Sequence, residues 1–91
     1  MPNGMRNWNF KQVEALLLGH FFKLVNVDGS HYFYRGKVDG KDKLAYIHYH
    51  TKSIIPDTLR SIIHKSGIPK EIWMKWARGE QEIYKGAERW H

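Results

Sequence analysis

Residues 21–35, FFKLVNVDGSHYFYR, contain two runs of aromatic and β-branched residues that are separated by an Asp-Gly pair. Such residues favour β-strands, and Asp-Gly is a frequent turn between antiparallel strands. The stretch therefore predicts a hairpin with a first strand over 21–27, a turn at Asp28-Gly29 and a second strand over 30–35. His31 opens the second strand, where a buried strand would more often carry Val or Ile. This histidine needs a chemical explanation.

A helix is predicted before the hairpin, over residues 10–18. Asn9 and Gln12 have the spacing of a capping box, in which each side chain accepts a hydrogen bond from the other residue's backbone. Apolar residues recur at helical spacing within this segment. Gly19 is a residue type that commonly follows the last turn of a helix. The chain therefore begins with a short capped helix.

A third strand is predicted over 43–50, KLAYIHYH, after a polar, glycine-rich connection over 36–42. Because the links between the three strands are short, the strands should form an antiparallel meander. Pro56 suits the first turn of a second helix that ends at Gly67. A third helix starts at Pro69, and the tail over 80–91 has a weakly helical pattern.

The predicted order is α-β-β-β-α followed by further helical pieces, in a single α+β domain over residues 1–91. Three antiparallel strands need an apolar cover on at least one face, and the two main helices can supply it together. The core is expected over about residues 8–68, with a C-terminal helical extension over 69–91. This is the layout of the double-stranded-RNA-binding domain.

Composition limits the function classes. The 91 residues suit one domain, and the absence of cysteine excludes disulfides and thiolate chemistry. No apolar run approaches the roughly 20 residues of a membrane span, and the first residues do not resemble a signal peptide. We therefore expect a soluble cytoplasmic protein without a membrane partner. The net charge of +6 favours a polyanionic partner such as nucleic acid.

Two blocks of sequence resemble the HicA toxins, small mRNA interferases of toxin–antitoxin pairs. The first block is Gly29-Ser30-His31, which is similar to the GSH motif of that family. The second block contains His50, Lys52 and the segment PDTLRSIIHKSGI over 56–68. The resemblance covers about residues 10–68. It implies an αβββα fold, cleavage of mRNA without metal or cofactor, neutralisation by a HicB-type antitoxin, and His31 as the catalytic residue.

The chemistry of RNA cleavage agrees with a histidine at this place. The reaction needs a base for the 2′-hydroxyl and an acid for the leaving oxygen, and an imidazole can serve as either near neutral pH. Gly29 allows the backbone to turn tightly and to approach a phosphate. The hydroxyl of Ser30 and nearby backbone N–H groups can bind a phosphate oxygen. A histidine that only fills a strand position is the alternative interpretation.

Further residues are candidates for binding RNA. Arg35 has the same strand parity as His31, so it could stabilise negative charge in the transition state. His50 is expected to approach the RNA or His31. His48 shares its strand face, but the spacing of other ligands does not predict a metal site. A phosphate-binding surface is predicted from basic residues after the second strand and along the second helix, with an ordinary charged surface as the alternative. Its members are Lys37, Lys41, Lys43, Lys52, Arg60 and Lys65.

Two other functions remain open. The chain could be an RNA-binding module of the same fold without catalysis. It could also be a protein-interaction domain that uses the aromatic residues of its C-terminal part, although we expect these side chains to pack back onto the domain. His20 and His64 are expected at the surface or at helix ends. The C-terminal aromatic residues are Trp73, Trp76, Tyr84 and Trp90.

Overall fold

An antiparallel sheet and three helices form an α+β fold in the computed structural model, which describes residues 2–50 and 52–90. The elements are α1 (Phe10–Gly19), β1 (Lys23–Asp28), β2 (His31–Val38), β3 (Lys41–His48), α2 (Pro56–Ser66), α3 (Lys70–Ala77) and β4 (Ala87–Glu88). The predicted α-β-β-β-α order and the antiparallel meander are confirmed. None of the helices in the described ranges has the length and apolarity needed to cross a membrane.

Two tight turns fix the register of the meander. Asp28 pairs with His31, so the central residues of the first turn are Gly29-Ser30 and not the predicted Asp28-Gly29. The second turn is Asp39-Gly40, with φ angles of 53° and 77°. Two central residues with positive φ are typical of a type I′ hairpin turn, which matches the twist of the flanking strands.

The predicted connection over 36–42 is too long. β2 continues to Val38 and β3 begins at Lys41, so that Asp39-Gly40 alone separates the two strands. The reason lies in the packing of β2. Val38 is fully buried, and Gly36 leaves room for the ring of Phe22 against the strand. These contacts stabilise a strand in a segment whose glycines and charges suggest a loop.

The first helix begins as predicted. The Asn9 side chain accepts a hydrogen bond from the Gln12 backbone N–H at 2.9 Å, and the Gln12 side chain accepts one from the Asn9 backbone N–H at 2.8 Å. The end of the helix differs from the prediction, because Gly19 is its last residue and His20 caps it. A Cβ atom at Gly19 would lie 3.0 Å from Trp76 Cη2, so the close approach of α3 explains the glycine.

The core lies on one face of the sheet. Its sheet residues are Tyr34, Val38, Ala45 and Ile47, and both main helices add buried side chains to it. The Tyr34 hydroxyl donates a hydrogen bond to Glu14 Oε2 at 2.5 Å, which joins β2 to α1. The opposite face, called here the outer face, presents alternate residues of the same strands. Its members His31, Arg35, Leu44, Tyr46 and His48 are exposed.

Over the described residues 69–90, the C-terminal extension is helical only at Lys70–Ala77. The predicted weak helix over 80–91 is wrong for residues 80–90, and its last residue, His91, lies outside the described residues. Instead, Ala87 and Glu88 pair with Val38 and Lys37 as a short fourth strand. The reason is a set of tertiary hydrogen bonds that a helix could not make: Asp39 N–H to Gly86 O at 2.8 Å and Gly40 N–H to Glu88 Oε2 at 2.8 Å.

His20 holds this extension from inside the protein. It caps α1, as one interpretation of the sequence predicts, but it is fully buried and not at the surface. Its Nδ1 lies 2.8 Å from Leu16 O, and its Nε2 accepts the backbone N–H of Tyr84 at 3.0 Å. The ring is therefore neutral with its proton on Nδ1, and burial lowers the pKa of His20.

We expect the protein to lose stability as the pH falls below about 6.5, the ordinary pKa of histidine. The unfolded chain takes up the proton at a higher pH than the folded protein, because the folded pKa of His20 is lowered. The stabilising contribution is thus complete above pH 6.5 and is lost as the pH falls through the folded pKa. Thermal unfolding between pH 7.5 and 5 measures this effect.

The matched variant for this experiment is His20→Gln, which retains a donor and an acceptor but does not titrate. It should be less stable at pH 7.5 and should show a flatter dependence on pH. An equal slope in both proteins would contradict the role of His20.

Candidate active site

Two histidine rings lie face to face on the outer face of the sheet. His31 is the first residue of β2 and pairs with His48, the last residue of β3. Their ring centroids are 4.8 Å apart and the ring planes differ by 14°. Both side chains are exposed. The hairpin at Asp39-Gly40 thus brings together two imidazoles that are far apart in the sequence.

A cavity of about 240 Å³ opens beside this pair. The sheet contributes both histidines and Tyr46, whose ring centroid lies 5.9 Å from that of His31. Helix α2 forms the other wall. Its apolar side, including Leu59 and Ile62, is buried in the core, and this packing holds the helix beside β3. The residues of α2 that line the cavity recur at helical spacing: Thr58, Ser61, Ile62 and Lys65.

These groups form a chemically useful set. The two imidazoles can give or accept protons. The ammonium group of Lys65 can stabilise negative charge on a phosphate, and the hydroxyls of Thr58 and Ser61 can donate hydrogen bonds to it. The arrangement is open to solvent on the side of the outer face, so an extended polymer could enter it.

His50 continues the row of imidazoles beyond the end of β3. Its ring lies edge-on to that of His48, with centroids 5.7 Å apart, and its Nδ1 accepts the backbone N–H of Lys52 at 3.2 Å. His50 therefore packs against His48, and its predicted approach to RNA stays a prediction. In residues 2–50 and 52–90, no three His, Asp or Glu side chains are arranged to hold a metal ion.

The turn before His31 has Gly29 and Ser30 as its central residues. Gly29 has a φ of 60°, and a Cβ atom there would meet no other atom within 4 Å. The glycine is needed for its backbone conformation and not for space. The carbonyl oxygen of Ser30 accepts the N–H of Tyr49 at 2.7 Å, which ties the turn to the end of β3. Neither Gly29 nor Ser30 lines the cavity.

The other predicted phosphate-binding residues are spread out. Arg35 and Lys37 share the outer face with His31, but they lie about 13 and 20 Å farther along β2, at about 3.3 Å per residue. A phosphate held at His31 cannot also contact Lys37. Arg60 is exposed on α2 and forms an ion pair with Asp57 at 2.6 Å, so its charge is partly compensated.

The sequence interpretation missed His48 as the partner of His31, and it missed Ser61 and Thr58. It placed Lys65 on a general phosphate-binding surface and not beside His31. A signal for His48 was present. His31 and His48 are each the eighth residue when one counts outward from a two-residue turn at Asp39-Gly40. The residues of α2 had no such signal, because their place depends on how the helix packs beside β3.

Comparison with protein-family models, curated proteins and solved structures gave no match for this chain.

Proposed function

We propose that this chain is an RNA-binding protein with a fold like that of the double-stranded-RNA-binding domain. More specifically, we propose a HicA-like mRNA interferase that cleaves RNA without a metal ion. The observation that supports this proposal best is the stacked pair of His31 and His48 beside Lys65 in one open cavity. The net charge of +6 adds a general attraction for polyanions.

In the proposed reaction, one histidine removes the proton of a 2′-hydroxyl, whose oxygen then forms a bond to the neighbouring phosphorus. The bond from phosphorus to the 5′-oxygen breaks, and the other histidine supplies the proton that this oxygen needs. Lys65 stabilises the added negative charge on the phosphorane. The products are a 2′,3′-cyclic phosphate and a free 5′-hydroxyl.

The location of the pair also suits the control that the resemblance implies. His31 and His48 lie on an exposed sheet face, which a HicB-type antitoxin could cover without any change in the fold. We accordingly propose mRNA as substrate, such an antitoxin as partner, and the cytoplasm as the place of action.

The test of the proposed function is cleavage of a labelled single-stranded RNA by the purified chain in an excess of EDTA. We expect cleavage at an unchanged rate and a product that ends in a 2′,3′-cyclic phosphate. Binding without cleavage would favour a catalytically silent RNA-binding module. Neither binding nor cleavage at moderate salt would favour a protein-interaction domain. Cleavage that EDTA abolishes would contradict the metal-independent mechanism.

A further inference from the structure

A second groove lies between the start of β1 and the end of the chain. Its volume is about 370 Å³, and it is lined by Leu18, Phe21, Phe22, Lys23, Arg89 and Trp90. The C-terminal extension builds one wall, because the Trp90 indole N–H donates a hydrogen bond to Phe21 O at 3.0 Å. The floor is apolar, since Phe22 is 2% exposed and belongs to the core.

A cationic side chain lies over each of two aromatic rings in this groove. Lys23 Nζ lies 5.3 Å from the centroid of the Trp90 ring, and Arg89 Cζ lies 4.7 Å from that of Phe21. Within the described ranges, neither Lys23 nor Arg89 forms an ion pair with a carboxylate. The groove therefore combines flat apolar surfaces with two positive charges that form no ion pair within residues 2–50 and 52–90.

The backbone at Phe21 has a φ of 70°, in the region that favours glycine. A phenylalanine there is strained, yet its ring forms a wall of the groove and holds Arg89. Strained residues of this kind often lie at ligand sites. The strained backbone at Phe21 is a second feature, beside the aromatic and cationic lining, that is typical of a ligand site.

The groove is connected to the candidate active site by the outer face of the sheet. Lys23 pairs with Arg35 across β1 and β2, so the two cations are neighbours. Phe33 lies between Arg35 and His31 on the same face, and its ring packs against that of Tyr46, with centroids 5.6 Å apart. Aromatic and cationic side chains thus follow one another from the histidine pair to the groove.

We propose that this groove binds an unpaired base of a single-stranded RNA that extends from the histidine pair across the outer face. The base would stack against Trp90 or Phe21, and adjacent phosphates would contact Lys23 and Arg89. Bases inside a duplex are not free to enter such a groove. The inference rests on the proposed function for its ligand class, and it adds a site that the C-terminal extension completes.

The test uses the full chain with His31→Ala, so that RNA stays intact, and a fluorescein-labelled single-stranded RNA of about 12 nucleotides. Adding Trp90→Leu removes the stacking surface and should weaken binding about tenfold. Trp90→Phe keeps an aromatic ring and should retain most of the affinity. Lys23→Gln should also weaken binding, whereas the exposed Lys11→Gln, on α1, should change it little. Near-ultraviolet circular dichroism confirms that each variant is folded.

A second readout separates the inference from the proposed function. Cleavage of a dinucleotide by the chain with intact His31 should be insensitive to Trp90→Leu, because a dinucleotide is too short to reach the groove. If Trp90→Leu and Trp90→Phe bind the longer RNA equally, the groove proposal is overturned while cleavage can stand. The proposal would also be overturned if the affinity for an RNA duplex of the same length depended on Trp90 to the same extent. Binding that depends on Trp90 without any cleavage would support the groove and contradict only the ribonuclease.

Discussion

Replacing His31 by alanine should lower the rate of RNA cleavage by about 10²–10⁴-fold, the usual contribution of a general acid or base. His48→Ala should produce a loss of the same order, since the two stacked imidazoles carry the two proton transfers of one reaction. The variant with both changes should be little worse than either alone, because groups that act together in one step give non-additive losses. Initial rates on a labelled single-stranded RNA measure all three values.

The matched control is His64→Ala. His64 is exposed on α2 but does not line the cavity, so its removal should leave the rate within about twofold of the parent protein. His31 and His48 are also exposed, and thermal unfolding of their alanine variants should be unchanged. In cells, induced expression should stop growth with decay of mRNA, and His31→Ala should abolish both effects.

A His31→Ala protein that still cleaves RNA would remove His31 from the chemistry. Loss with His31→Ala but not with His48→Ala would leave a mechanism with a single histidine, as the resemblance to the HicA toxins implies. These outcomes decide whether the pairing of β2 and β3 creates a two-histidine centre or only places a second imidazole beside the first.

Local patterns were sufficient for much of the fold. The capping box at Asn9 and Gln12 and the proline-initiated helix at Pro56 depend on residues that are close in sequence, and the structure confirms both. The three-stranded meander follows from strand propensity and short turns. The combination of these signals is enough to predict an α+β domain with one open sheet face.

The failures concern segments whose structure depends on distant partners. β2 extends past Gly36 because Phe22, from outside the strand, packs on it. The last part of the chain is extended because His20 and Asp39 bind its backbone. For the candidate site, His31 could be predicted from its position after a turn. The wall formed by α2 depends on tertiary packing that no local pattern contains.

Gly36→Ala should lower the free energy of unfolding by about 3 kcal/mol, as expected for overpacking of a rigid core. A Cβ atom at this position would lie 2.4 Å from two ring carbons of Phe22 and 2.6 Å from a third. Phe22 is 2% exposed and belongs to the core cluster, so its neighbours restrict the movement of its ring. Alanine also restricts the unfolded chain, which opposes the loss only by about 0.4–1 kcal/mol. Urea-induced unfolding measures the difference.

A second substitution tests whether the ring of Phe22 is the cause. Phe22→Leu alone should cost about 1–2 kcal/mol, because it removes buried atoms from the core. Combined with Gly36→Ala, it should cost less than the sum of the single changes by at least about 1 kcal/mol, since leucine lacks ring atoms at the place of the clash. Additive losses would show that Gly36 is required for another reason. Coupling would show that the ring of Phe22 is the reason why position 36 requires glycine.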